Sequence, residues 1–190
     1  INTKYTVHCA ATCVGRGGLR PLSKALTTID GVGSWTIVPR STTLGSAPRR
    51  GVFVSRSMAR VIVRHYELAA EIAEAHGGRM PRSQGEGDST LTAFARATDA
   101  VEGALAFQQA VTPEPWPDGI ELRLRTGLHT GEAQIEHGDY FGAALSRAAR
   151  LRALGQGGQV LVSQATAELV ADRLPVGVSL RDLGRVQLRG

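Results

Sequence analysis

The stretch that most constrains this chain is Gln84-Gly85-Glu86-Gly87-Asp88, set between a helical pattern and a strand-like one. Before it, residues 58–76 place Val61, Leu68, Ile72 and Ala75 on one stripe with Glu67, Glu71 and Glu74 elsewhere. That spacing predicts an amphipathic helix, ended by Gly77-Gly78. After it, Thr90-Leu91-Thr92-Ala93-Phe94-Ala95 alternates as a half-buried strand does. Two glycines flanking acidic residues there read as a tight hairpin turn. Such a turn brings backbone close to a docked group and holds the Asp88 carboxylate at a strand edge, as a candidate ligand for a hard cation. Taken alone, the stretch reads as a solvated turn, where Asp is common.

The rest of the chain supplies the elements around that turn. A second helix is expected at about residues 99–111, with Ala100, Ala104, Phe107 and Val111 at helical spacing and Asp99 and Glu102 at its start. Residues 113–117 form a loop. Residues 120–125 alternate as a strand that turns near Thr130-Gly131 and returns through Ala133 and Ile135. A third helix covers about 143–154, a strand 159–162, a helix 164–172, and two short strands near 178–180 and 185–188 close the chain. This order predicts an α+β fold of ferredoxin-like βαββαβ type, a mixed or antiparallel sheet with helices on one face. Residues 1–57 are rich in Gly, Ser, Thr and Pro clusters and read as loop or disorder, with a possible first strand near 26–30. The expected division is therefore a basic segment, 1–57, and a folded domain, 58–190.

Charge follows the same division. Residues 1–60 hold nine Lys/Arg and one acidic residue, Asp30, whereas the remainder holds 13 Arg and 16 Asp/Glu. No aromatic interleaving or RNA-binding signature accompanies the basic segment, so nucleic acid is not the expected partner. No apolar run is long enough to span a bilayer, no secretory signal opens the chain, and Ile1 suggests a fragment. Cys9 and Cys13, the only cysteines, are too few for a zinc site and read as free thiols in a reducing compartment, hence cytoplasmic.

Three motifs in order give the chain a family resemblance. Gly87-Asp88 is followed by Leu122-Arg123-Leu124-Arg125-Thr126-Gly127-Leu128-His129-Thr130-Gly131-Glu132, and then by Gly138-Asp139-Tyr140-Phe141-Gly142-Ala143-Ala144-Leu145-Ser146-Arg147-Ala148-Ala149-Arg150-Leu151. From about Met58 to Gly190 this resembles the catalytic domain of class III adenylate and guanylate cyclases. The Gln-Gly-Glu-Gly-Asp form is most similar to cyclase domains fused to ATPase and helix-turn-helix transcription regulators. The resemblance implies two divalent cations per site, Mg²⁺ or Mn²⁺, held by Asp88 and by Asp30, the latter through the spacing of Asp30, Gly33 and Ser34. It implies that Arg150 stabilises the transition state and that Ser146, where the family has Asn, faces the ribose. The two are four apart and share one helix face. Base recognition falls to Gln84, where the family has Lys, and to Asp139, which keeps an acceptor for the adenine amino group. The implied reaction converts ATP to cyclic AMP and pyrophosphate in a site shared by two protomers of a homodimer. His129 reads as a structural or supporting residue. Two other readings stand beside this one: a catalytically degenerate nucleotide-binding or dimerisation module of a larger regulator, and a basic nucleic-acid-binding ferredoxin-like domain.

Overall fold

The structure, a computed structural model, describes residues 4–16, 33–39, 55–81 and 88–185. Its strands are β1 (Lys4–Arg16), β2 (Gly33–Pro39), β3 (Gly78–Arg79), β4 (Ser89–Phe94), β5 (Leu122–Glu136), β6 (Asp139–Phe141), β7 (Gln159–Ser163) and β8 (Val178–Arg185). Its helices are α1 (Ser55–Ala75), α2 (Ala97–Val111), α3 (Ala143–Leu154) and α4 (Gln164–Val170). The strands form one sheet in the order β3-β4-β1-β5-β7-β2-β8, with β6 paired to β5. The first four are antiparallel neighbours, and with α1 and α2 between them they make the ferredoxin-like βαββαβ unit expected from the sequence. Beyond it, β5 and β7 run parallel, joined by a crossover through β6 and α3.

Some local expectations change. Residues 4–16 and 33–39 are strands, not loop, and β1 is interior: Lys4–Arg16 pairs along its length with β5, and His8–Cys13 pairs with β4. Such a strand is fixed by ladders on both sides, so its own pattern need not be clean. The strand expected near 26–30 lies outside the described residues. No turn interrupts β5 at Thr130-Gly131; the chain reverses at His137 and Gly138, with φ of 53° and 88°, as a two-residue hairpin with left-handed central residues requires. Of the two short strands expected to close the chain, the one near 178–180 is part of the longer β8, and the one near 185–188 lies, beyond Arg185, outside the described residues.

The helices also divide between the two sheet faces. Leu122, Leu124 and Leu128 of β5 pack into clusters with Val61 and Leu68 of α1, Val101 and Phe107 of α2, and Val170 of α4. The alternate residues Gly127, Gly131 and Ala133 meet α3 instead. Successive strand residues face opposite ways, so α3 lies across the sheet from the other three helices. Gly127 explains why it can sit there: a Cβ at that position would stand 2.5 Å from Ala148 O and from Arg152 N, so the helix backbone rests directly on the strand. On the other face, the Trp116 indole donates to Val111 O at 2.9 Å and satisfies a carbonyl at the end of α2.

His65 is the anomaly of that core. It stands on the buried stripe of α1, fully buried, with its ring 5.3 Å from that of Phe107, and neither ring nitrogen has a hydrogen-bond partner. Burial pushes its imidazole down from 6.5 to about 4, the Asp88 charge opposing. The unfolded chain takes up this proton below 6.5 and the native one only near 4, so its contribution to stability is complete above 6.5 and is lost as pH falls to 4. The acid loss from this one group is on the order of 3 kcal/mol. His65→Leu, which removes two unpaired nitrogens, is expected to raise stability by about 1 kcal/mol above pH 6.5 and to flatten the decline toward pH 4. Urea unfolding of both proteins across that range measures it; parallel pH profiles would show that the imidazole is not held neutral.

Candidate functional site

The sequence-predicted residues are distributed over two ends of the sheet. Asp88 is half-buried in the turn that opens β4. The turn is tied to α1 by the Tyr66 hydroxyl, which donates to Ser89 O at 3.2 Å. Asp139 is half-buried at the first position of β6, opposite Glu136, and holds a polar interaction of its own. Ser146 and Arg150 are exposed on α3, because Ala144, Ala148 and Leu151 turn inward. Asp30 and Gln84 lie outside the described residues.

Strand register measures how far apart these groups are. Ser89 pairs with Cys13, and Cys13 with Arg125, so Asp88 stands at the Arg125 level of β5. Asp139 stands at Glu136, eleven residues further along. At about 3.3 Å per residue that is roughly 36 Å of strand. One chain does not bring Asp88 and Asp139 together.

At the Asp139 end, β5, β6 and the first turn of α3 border an open cavity of about 450 Å³, lined among others by Gly131, Glu132, Gln134, Phe141 and Arg147. Phe141 is about half exposed at this cavity. Beneath it runs a buried polar chain: His129 Nδ1 lies 2.9 Å from Ser163 Oγ, Ser163 Oγ 3.2 Å from Thr166 Oγ1, and Thr166 Oγ1 2.9 Å from Thr130 Oγ1. Burial, with the nearby Arg147 charge second, lowers the His129 pKa and so favours the neutral ring. Sequence reading missed this cavity, Arg147 and Tyr66. Arg147 stands beside Ser146 in the third motif and could have been noticed there; nothing in the local pattern marks Tyr66.

The described residues carry only part of a cation site. Asp88 supplies one carboxylate, while β1, the strand beside it, contains no acidic residue. Among the described residues no group of three or more His, Cys, Asp or Glu could hold a metal ion. Two-cation chemistry needs more oxygen donors than this, and the second expected ligand is Asp30. At the opposite end, Asp139 offers an acceptor and the outer face of α3 offers guanidinium donors suited to phosphate oxygens.

Known proteins share both sequence and fold with this chain. An uncharacterized protein of Mycobacterium tuberculosis is 45% identical over 134 residues, covering 70% of this chain and 44% of that protein. The adenylate cyclase of Mycosarcoma maydis is 31% identical over 104 residues, 42% of this chain and 4% of that one. The chain thus spans less than half the length of the relatives it matches. The adenylate/guanylate cyclase/hydrolase from Silicibacter pomeroyi shares the fold, with a TM-score of 0.64 at 24% identity over 98% of this chain and 92% of that one. Class III cyclases generally use divalent metal ions. Residues 78–190 match the adenylate and guanylate cyclase catalytic domain, and the chain belongs to that family.

Proposed function

We propose that this domain converts ATP to cyclic AMP and pyrophosphate at the interface of a homodimer. The observation that carries the reading is the placement of Asp88 and Asp139 at opposite ends of β5. A two-fold axis that sets one protomer's Asp88 end against its partner's Asp139 end assembles both groups around one ligand, twice per dimer. In that site Asp139 accepts the adenine amino group, Gln84 contacts the ring through its amide, Ser146 faces the ribose, and Arg150 donates to the phosphate where charge builds up. Mg²⁺ or Mn²⁺, two per site and held by Asp88 and Asp30, supplies charge to the phosphates and lowers the pKa of the attacking 3′-hydroxyl. The Gln-Gly-Glu-Gly-Asp sequence supports placement within a longer ATPase and helix-turn-helix regulator. No described helix is long and apolar enough to cross a membrane; we place the domain in the cytoplasm because its two cysteines read as thiols kept in a reducing compartment. A second reading, a degenerate nucleotide-binding or dimerisation module, is favoured by the lack of an acidic residue in β1 and by Gln84 and Ser146.

Turnover of ATP and GTP by the purified protein with Mn²⁺ separates the two readings. ATP should be preferred and Asp88→Asn should abolish turnover with the fold intact; no product from the parent protein leaves the degenerate module. Restoring the family's groups with Gln84→Lys and Ser146→Asn together is expected to raise turnover by about tenfold, or ~1.4 kcal/mol of transition-state stabilisation. No gain there indicates a site whose backbone has drifted. The shared site has its own test. Asp88→Asn and Arg150→Ala chains, each inactive alone, should regain activity when mixed, since a heterodimer carries one site with both defects and one with neither. Zero recovery, with heterodimers seen by native mass spectrometry, rules out sharing.

A further inference from the structure

The cavity between β5, β6 and α3 has donors that the cyclase reading does not use. We propose that it is a phosphate-anion subsite, with the Arg147 guanidinium and the N–H groups of Ala143 and Ala144 as its donors. Three independent features meet there. The first is the helix end: Gly142, Ala143 and Ala144 line the cavity, no side chain caps this terminus, and the first turn holds no acidic residue. The leading N–H groups of a helix have no intrahelical acceptors and carry its positive end. The second is Arg147, which lines the same cavity, is exposed, and forms no ion pair among the described residues. The third is His129, 8% exposed, whose Nε2 has no partner. A Cβ built on Gly131 would stand 3.4 Å from that nitrogen and 3.0 Å from Ala144 Cβ, so the imidazole is directed at the floor formed by these two residues.

The polar chain behind the floor admits either tautomer of His129. Where the Ser163 hydroxyl donates to Nδ1, the hydrogen of the neutral ring is on Nε2. That hydrogen then lies beneath Gly131 and Ala144, under the helix terminus and Arg147. Glu132, the one acidic lining residue, has an interaction of its own. Neither Ser146 nor Arg150 lines the cavity, so the donor set is separate from that pair. The ligand chemistry is a phosphoryl group, whether of free phosphate or pyrophosphate or at the end of a nucleotide.

The test needs no metal and no turnover, so it stands or falls apart from the cyclase reading. Inorganic phosphate, pyrophosphate and ATP are each titrated into the protein in the presence of a chelator and followed by amide NMR. Phosphate is expected to shift the Ala143 and Ala144 amides with an affinity of about 1 mM. Arg147→Gln should weaken this by about tenfold, the loss of one charge-assisted contact. Ala143→Asp places a tethered carboxylate at the helix start and should abolish it, while the helix dipole favours the folded variant. If ATP shifts the same amides and loses the effect in both variants, the anion is a nucleotide phosphate; if only phosphate and pyrophosphate do, it is the free anion. No shift of these amides with any of the three probes, or shifts that persist in both variants, overturns the subsite.

Discussion

Strand β5 fixes the position of every described group in the candidate site. One of its edges pairs with β1 along the whole of Lys4–Arg16, and the other pairs with β7. A strand held on both edges does not slip, because a shift of one residue would turn Leu122, Leu124 and Leu128 out of the core and put Gly127 and Gly131 into it. Along this ruler Asp88 is set at one end and Asp139 at the other, and the same register carries α3, since Ala144 lies over Gly131 and Ala148 over Gly127. The separation of the two halves of the site is thus a consequence of hydrogen bonding within the sheet.

Much of this was legible from residues. The stripe that includes Val61, Leu68 and Ile72 marked α1, and the small inner face of α3 lay within a recognisable motif. The α+β class followed from the order of these elements, and the family from three motifs that carry Asp88, His129 and Asp139. The misreadings have local causes. Gly131 looked like a turn residue, but its small size serves the approach of Ala144, and the chain reverses at His137 and Gly138 instead. β1 carries no clean alternation that marks an interior strand; pairing with β4 and β5 defines it. Separation of α3 from the other helices depends on which strand face each helix covers, and that follows from register, which sequence order does not supply. Asp30 and Gln84 fall outside the described residues, so that half of the candidate site remains a sequence reading.

The two kinds of site residue answer to different constraints. His129, Gly131 and Gly127 are fixed by packing: each has backbone or side-chain atoms close around it, and a change there is felt first as a loss of fit. Ser146, Arg147 and Arg150 are exposed on the outer face of α3, where no neighbour in the same chain dictates residue type. Their long or polar side chains add little to stability. An outward-facing pair of arginines on a helix that already has a basic residue in its last turn brings like charges close together, a modest cost to the isolated chain. On the proposed function, that cost is recovered when an anion or an acidic partner surface approaches. The inner face of α3 is thus explained by the fold, and the outer face, on the proposed function, by what binds to it.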